Sequence, residues 1–244
     1  MTRSPFLVTA VIATVMWTAA GAGPGVVGAQ TPPAKNPLWD GLYTDEQASR
    51  GNAVFGTTCA NCHTLDSQGN RPLSGKKFWD SYTQKTVGDL FTFVQKNMPN
   101  GNGGSLSEKT YADLVALILK SNGVPAGTTE LVPSAVAAVP IIPKDGPVEL
   151  PAGALVRVVG CLAKNGSDFV LTSATAPQRT DKTVAAPDDA TRPLGEKSIA
   201  LKFLLTKLDA DIGKRVSATG LLIGAGGING LNVSTVTKVA DSCP

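Results

Sequence analysis

The sequence has little excess charge of either sign, few aromatic side chains and a single histidine. Lysine and arginine number 22 against 19 acidic residues, which gives a net charge of +3, and aromatic residues make up 5% of the chain. Nucleic-acid binding generally needs a basic face, and single-strand binding needs stacking aromatic side chains as well. The composition therefore argues against a nucleic-acid partner. The single histidine also restricts the ligands that any bound metal can have.

The first 29 residues have the pattern of a secretory signal peptide. Arg3 precedes an apolar run over residues 6–20, and Val27-Gly28-Ala29 is a small-residue cleavage site. We expect cleavage before Gln30, export to the periplasm and a mature chain without an integral membrane segment. The alternative is an uncleaved membrane anchor, for which the apolar run is short.

Residues 59–63, Cys-Ala-Asn-Cys-His, have the Cys-x-x-Cys-His pattern that is typical of covalent c-type haem attachment. The thiols of Cys59 and Cys62 can each form a thioether with a haem vinyl group, and His63 is then placed to bind the iron. Met98 is the only methionine beyond residue 16, and it precedes a proline at the end of a predicted helix. A His/Met ligand pair raises the reduction potential and serves electron transfer. We therefore expect one covalently attached haem c with His63 and Met98 as iron ligands.

Other interpretations of these residues stay open at this point. A structural zinc site needs four ligands, and only Cys161 and Cys243 remain to complete one. A thioredoxin-like pair belongs in a βαβ pattern, whereas a helical pattern precedes Cys59. The motif can also be a chance match on a loop. Met98 can be a core side chain, and the iron would then have an open face suited to an enzyme or a gas sensor.

Helical patterns surround the motif. The first helix is predicted to begin after Thr44, with a capping-box spacing to Gln47. It should end near Thr57 and carry Gly51 and Phe55 on one face, where a close approach and a large apolar side chain lie together. Two later helices are predicted, one capped by Thr86 with Asp89 and ending at Met98, and one following Ser107.

The loop after the motif and the short helix beyond it provide further candidate contacts to a haem. The free ring N–H of His63 needs an acceptor, and we expect a carbonyl of the loop over residues 65–74, such as that of Pro72, to supply it. Pro72 and Leu73 are also expected to contact the cofactor. Trp79 can donate its indole N–H to a haem propionate, or it can simply pack in the core.

Residues 40–123 resemble a class I c-type cytochrome, with a helix leading into Cys-x-x-Cys-His, a proline-containing loop, a methionine-bearing loop and a closing helix. The resemblance implies an all-α haem domain in which the first and last helices cross, with Gly51 against Leu114. This sequence departs from the family at two positions. Leu117 stands where the family usually has an aromatic residue, and Arg71 stands where it often has a glycine before the loop proline.

Residues 86–127 are similar to cytochromes that accompany pyrroloquinoline-quinone dehydrogenases. The resemblance implies an electron-transfer protein rather than an enzyme. Such a protein would take single electrons from a dehydrogenase, here a pyrroloquinoline-quinone dehydrogenase, and pass them toward a terminal oxidase or another cytochrome. The alternative is a haem-bearing interaction subunit that docks stably through its second domain to a larger quinoprotein or membrane redox complex.

The second half of the chain has a different pattern. Period-two alternation predicts five strands, with a polar loop over residues 175–196 and a short helical connection between the third and fourth strands. This order fits an all-β, OB-like barrel of five strands. In an oxidising compartment we expect Cys161 and Cys243 to form a disulfide. The expected organisation is a signal peptide (1–29), a haem domain (30–123), a proline- and alanine-rich linker (124–150) and the barrel domain (151–244).

Overall fold

The computed structural model describes Met1, residues 36–227 and residues 230–243. The predicted signal peptide, apart from Met1, and the predicted start of the mature chain lie outside the described residues. A helical region, residues 36–141, precedes a sheet region, residues 150–243. The helices are α1 (Asp45–Thr58), α2 (Lys76–Tyr82), α3 (Val87–Asn97), α4 (Glu108–Ser121) and α5 (Pro133–Val136), and the strands are β1 (Leu155–Asn165), β2 (Asp168–Ala174), β3 (Gln178–Arg179), β4 (Lys197–Lys202), β5 (Arg215–Leu222) and β6 (Leu231–Ala240).

The N-terminus of α1 forms only half of the predicted capping box. The Thr44 hydroxyl accepts a hydrogen bond from the Gln47 N–H at 3.1 Å, which satisfies one of the free donors of the first turn. The Gln47 side chain, however, donates to the Leu131 carbonyl at 3.1 Å and accepts from the Leu131 N–H at 2.7 Å. Gln47 is buried, and both ends of its amide hold the chain around Leu131 against α1.

The starts of α3 and α4 agree with the predicted caps. Thr86 and Asp89 form both hydrogen bonds of a capping box, with the Asp89 carboxylate accepting from the Thr86 N–H at 2.8 Å. The Ser107 hydroxyl accepts from the Thr110 N–H at 3.1 Å. These two caps place the helices on either side of the turn that carries Met98.

Helices α1 and α4 approach each other most closely at Gly51. A Cβ atom at this position would collide with the backbone carbonyl of Asp113 and would touch the Leu117 side chain at 3.1 Å. The close approach predicted for Gly51 is therefore confirmed, but the nearest atoms belong to Asp113 and Leu117 and not to the expected Leu114. Leu117 is smaller than the aromatic residue usual in class I cytochromes. Phe55 is buried in the same core.

Residues 124–141 pack against the helical region, where the sequence predicts part of a linker. Val124, Leu131, Val136 and Ile141 are buried in the helical core, and the Val87 N–H donates to the Val139 carbonyl at 2.8 Å. Burial of these apolar side chains compensates for the ordering of the segment. This packing is not predictable from the proline-, alanine- and valine-rich sequence of the segment, because the buried residues follow neither a helical nor a strand period.

The described strands form a six-stranded sheet in the order β2-β4-β6-β5-β1-β3, and β1 also pairs with β2. The β4–β6 pairing is parallel and the other pairings are antiparallel. Five of these strands agree with the period-two pattern. The additional strand, β3, is two residues long and lies within the predicted polar loop, and it pairs with Val156 and Arg157 of β1.

The sheet region has a hydrophobic core of its own, formed by alternating side chains of its strands such as Val156 and Val158. Cys161 and Cys243 form a disulfide, which confirms the predicted pairing. In the residues that the structure describes, no helix is long and apolar enough to cross a membrane.

Candidate functional site

The two cysteines of the motif lie in a tight turn at the end of α1. Cys59 caps the helix, with its N–H donating to the Phe55 carbonyl at 2.9 Å, and the N–H groups of Cys62 and His63 both donate to the Cys59 carbonyl at 3.0 Å. This turn brings the three side chains to one end of the helix. Both thiols are free, so the residues are available for covalent attachment to another group.

The environment of Cys59 does not favour a reactive thiolate. Burial, together with the nearby Cys62, raises the pKa of the Cys59 thiol. Redox-active cysteines depend instead on a lowered thiol pKa, so a thioredoxin-like role gains no support. Among the residues described, no group of three or more histidine, cysteine or acidic side chains is placed to hold a metal ion. Cys161 and Cys243 are bonded to each other, so they are not available to complete a zinc site with the motif cysteines.

The ring orientation of His63 is fixed by the loop that follows it. The Nδ1 atom lies 2.9 Å from the carbonyl oxygen of Arg71. Because a carbonyl oxygen can only accept, Nδ1 carries the proton and Nε2 remains free to bind a metal. The acceptor is thus Arg71, one residue before the predicted Pro72. The Leu73 N–H donates to the Thr64 carbonyl at 2.9 Å and holds the loop beside the motif.

Arg71 also explains a departure from the class I cytochrome pattern. Its backbone has a φ of 41°, in the left-handed region that glycine adopts most easily. Glycine is the residue that the family often has at this position. The carbonyl of Arg71 therefore reaches His63 through a backbone conformation that a glycine would adopt with less strain.

Met98 caps the C-terminus of α3, and its position is secured from α4. Its own N–H donates to the Val94 carbonyl at 3.0 Å. The Tyr111 hydroxyl donates to the Met98 carbonyl at 2.8 Å and accepts from the Leu106 N–H at 3.3 Å. Tyr111 is fully buried, so this hydroxyl links the methionine turn to the closing helix.

Asn122 holds the loop that follows His63 in a similar way, by hydrogen bonds from the end of α4. Its side-chain nitrogen donates to the Leu73 carbonyl at 2.9 Å, and its side-chain oxygen accepts from the Gly75 N–H at 3.0 Å. Sequence reasoning identified neither this role nor the hydroxyl contact of Tyr111. The available signal was a hydroxyl on Tyr111, which belongs to the apolar side of α4, and an amide on Asn122 directly after the helix.

A cavity of about 860 Å³ lies between these elements, and all the predicted site residues except Trp79 line it. The lining includes Cys59, Cys62 and His63, and also Met98 directly after α3. Its volume is within the range of ligand sites, about 300–1,000 Å³. The remaining lining is mainly apolar and includes Phe55, Phe78, Leu90, Val94, Leu114 and Ile118.

The donors and the lining fit a haem. Two thiols, an imidazole nitrogen and a thioether sulfur are the groups that attach and ligate a c-type haem, and the apolar wall suits the porphyrin ring. Arg71, Lys77 and Lys85 also line the cavity, and their positive charges suit the two propionates. When bound, a haem would supply one-electron chemistry at this site.

Trp79 lies outside the cavity lining. Its ring stacks on Trp39, with centroids 6.3 Å apart and planes inclined by 15°, and it meets the edge of Phe78 at 5.1 Å. Phe78 does line the cavity. The contacts of Trp79 correspond to the core-packing alternative, and they support the cavity wall from behind.

Residues 46–118 match a family model described as "Cytochrome C oxidase, cbb3-type, subunit III". The match covers 73 of the 244 residues, all of them in the helical region. It supports a c-type cytochrome domain, which implies covalently bound haem c and electron transfer rather than catalysis. No curated protein and no solved structure shows significant similarity to the chain.

Proposed function

We propose that the protein is a periplasmic monohaem cytochrome c that carries single electrons from a dehydrogenase toward a terminal oxidase. In this proposal Cys59 and Cys62 would hold the haem covalently, and His63 and Met98 would bind its iron. The observation that carries it is the shared cavity of about 860 Å³, which has the Cys-x-x-Cys-His motif and Met98 in its lining. The signal-peptide pattern of residues 1–29 supports export to the periplasm.

The chain's own groups would prepare this site for electron transfer. The Arg71 carbonyl orients the imidazole of His63, and Tyr111 fixes the backbone of Met98, so both ligands would change little in position between redox states. The apolar lining limits water around the cofactor. Binding of the iron by both a histidine nitrogen and a methionine sulfur of the chain would favour a carrier over an enzyme or gas sensor.

The haem and its ligands can be tested on protein produced in a strain that matures c-type cytochromes. We expect a pyridine haemochrome with one haem per chain and the weak absorption band of a methionine sulfur bound to ferric iron. Met98→Ala should lose this band and lower the reduction potential. Leu106→Ala, at another lining residue, should keep the band. A colourless protein, or a Met98→Ala protein with unchanged band and potential, would contradict the assignment.

The family description favours a second candidate, in which the chain is a stable subunit of a redox complex. Members of the matched family are described as a subunit of a cytochrome c oxidase, and the sheet region would provide the docking surface. Purification from native periplasm and membranes distinguishes the two functions. A free pool of the protein supports the carrier, whereas a stable complex of fixed stoichiometry supports the subunit. A pyrroloquinoline-quinone dehydrogenase is the donor that we propose to test first, by measuring its rate of haem reduction.

For the sheet region we propose an OB-like barrel. The proposal is supported by the pairing series β1-β2-β4-β6-β5, in which β5 pairs with β1 again, and by the parallel pairing of β4 with β6. Closure of the sheet into a barrel would remove its exposed strand edges. Nuclear Overhauser contacts across both the β1–β2 and β4–β6 pairs in one sample would support a closed barrel. Loss of either set of contacts would indicate an open sheet.

A further inference from the structure

Strand β3 places Arg179 of the sheet region against the helical region. The backbone of β3 is fixed by its pairing with β1, where Arg179 faces Val156, and by the Thr180 N–H, which donates to the Leu155 carbonyl at 3.1 Å. From this anchored position the guanidinium of Arg179 donates through Nε to the Thr83 carbonyl at 2.9 Å and through Nη2 to the Asp80 carbonyl at 2.7 Å.

These two carbonyls belong to the C-terminal end of α2. The last carbonyls of a helix have no partner within the helix, so the guanidinium supplies hydrogen bonds that α2 cannot make itself. The neighbouring residue, Gln84, adds one contact to the same strand and one to Pro177 directly before it. Its side-chain oxygen accepts from the Arg179 N–H at 2.9 Å, and its side-chain nitrogen donates to the Pro177 carbonyl at 3.2 Å. Four hydrogen bonds therefore join residues 80–84 to Arg179 of β3 and to Pro177 directly before it.

The segment held in this way forms part of the cavity wall. Ser81, Tyr82 and Lys85 line the cavity. The Lys85 N–H donates to the Tyr82 carbonyl at 2.8 Å, and the Lys85 ammonium lies 5.3 Å from the centre of the Tyr82 ring. A movement of residues 80–85 would thus displace an aromatic side chain and a cation that face the proposed cofactor.

The charge of Arg179 also affects Lys85 in the cavity wall. Burial, and secondarily the positive charge of Arg179, lower the pKa of the Lys85 ammonium. Burial likewise lowers the pKa of the Arg179 guanidinium. The two cations lie in a partly buried environment, where electrostatic interactions are screened less than in water. Positive charge near a haem favours the reduced iron, because reduction removes one positive charge from the cofactor.

We propose that Arg179 is a positioning residue through which the sheet region regulates the haem site, by holding residues 80–85 against the cavity and so raising the reduction potential. The inference rests on the proposed function, since it assigns this potential to a haem in the cavity. It gives the sheet region a defined task in a protein whose cofactor residues all lie in the helical region.

Three variants test the proposal in the full-length, haem-loaded protein. Arg179→Ala removes both the charge and the hydrogen bonds. Arg179→Lys keeps the charge, but a single ammonium cannot reproduce the planar fork that spans two carbonyls. Lys182→Ala is the matched control, because Lys182 is an exposed cation three residues along the same loop. The readouts are the haem reduction potential and the hydrogen-exchange rates of the backbone amides of residues 80–88.

We expect Arg179→Ala to exchange these amides at least tenfold faster and to lower the equilibrium constant for haem reduction about threefold. For one electron this loss is about 30 mV, since a tenfold change corresponds to about 59 mV. Arg179→Lys should show the faster exchange with a smaller loss of potential, and Lys182→Ala should match the wild type in both readouts.

The failure of this inference is distinct from the failure of the proposed function. A chain that takes up no haem overturns the proposed function and the inference with it. A haem-loaded Arg179→Ala protein with wild-type potential overturns the inference alone, whatever its exchange rates. A lower potential without faster exchange would assign the effect to charge and would overturn the positioning role.

Discussion

The helical region and the sheet region each contain a pair of cysteines, and the two pairs are used in opposite ways. In the helical region Cys59 and Cys62 are free and face a cavity. In the sheet region Cys161 and Cys243 are bonded to each other and join β1 to the chain beyond β6. The difference follows from geometry. Two cysteines on one turn point to a common ligand, whereas two cysteines far apart in sequence restrain the chain.

The two regions also build their interiors differently. The sheet region fills its core with its own side chains, mainly valines and leucines of the strands. The helical region arranges buried side chains such as Phe55 and Leu114 around the cavity. We infer that the stability of the helical region depends on the cofactor more than that of the sheet region does, because apolar surface gains free energy only when it is covered.

Removal of the motif cysteines should have the largest effect. In the Cys59→Ala/Cys62→Ala double variant no thioether can form, so we expect complete loss of haem that survives denaturation. A haem stain after denaturing electrophoresis measures this directly. The matched control is Cys161→Ala/Cys243→Ala, which should stain like the wild type. Covalent haem in the motif variant would refute the attachment site and the contrast between the two pairs.

Removal of the disulfide should affect the sheet region instead. Cys161 and Cys243 are 82 residues apart in sequence, and the chain-entropy model gives about 4.5 kcal/mol for a loop of this length. We expect the Cys161→Ser/Cys243→Ser variant to lose about this much free energy of unfolding of the sheet region. Guanidinium unfolding followed by hydrogen exchange of the β1 and β5 amides would report it. Loss of the methionine–iron absorption band at the same denaturant concentration would show that the two regions unfold together.

The sequence predicts features that follow from the type of a residue, but it does not predict hydrogen bonds between distant polar side chains and backbone groups. The Thr86–Asp89 cap, the close approach at Gly51 and the Cys161–Cys243 disulfide each follow from residue type, and all three agree with the structure. The contacts of Gln47 with Leu131 and of Arg179 with Thr83 join residues 84 and 96 positions apart. Such pairs cannot be predicted from the periodicity of the sequence, because they form only when the helices and strands pack together.

The crossing of α1 and α4 offers a sharper test of how the helical region packs. Gly51→Ala places a methyl group against the Asp113 backbone, which cannot move without separating the helices. We expect a loss of about 2 kcal/mol in the free energy of unfolding, measured by chemical denaturation. Gly56→Ala is a control on the same helix, where a Cβ meets no atom within 4 Å. It should be neutral or stabilising by up to about 1 kcal/mol, and equal effects of both substitutions would contradict a close crossing at Gly51.

The smallest expected effect is a loss of unfolding free energy at alkaline pH, which tyrosine ionisation should cause in the helical region and not in the sheet region. The chain's tyrosines, Tyr43, Tyr82 and Tyr111, all lie in the helical region. Burial raises the pKa of Tyr82 from 10.0 to about 12, so the unfolded chain ionises first as the pH rises. The contribution of Tyr82 is therefore complete below pH 10 and is lost between pH 10 and about 12.

Tyr82→Phe should remove this contribution to the pH dependence. We expect the loss of unfolding free energy between pH 8 and pH 11 to be smaller than in the wild type by about 1 kcal/mol, allowing for partial solvent exposure of the ring. Denaturation followed by helical ellipticity at the two pH values gives the difference, and the pH 8 measurement controls for any change in packing. Burial and the nearby Asp45 also raise the pKa of Tyr43 to about 12. Some alkaline loss should therefore remain in the variant, and its complete absence would assign the whole effect to Tyr82.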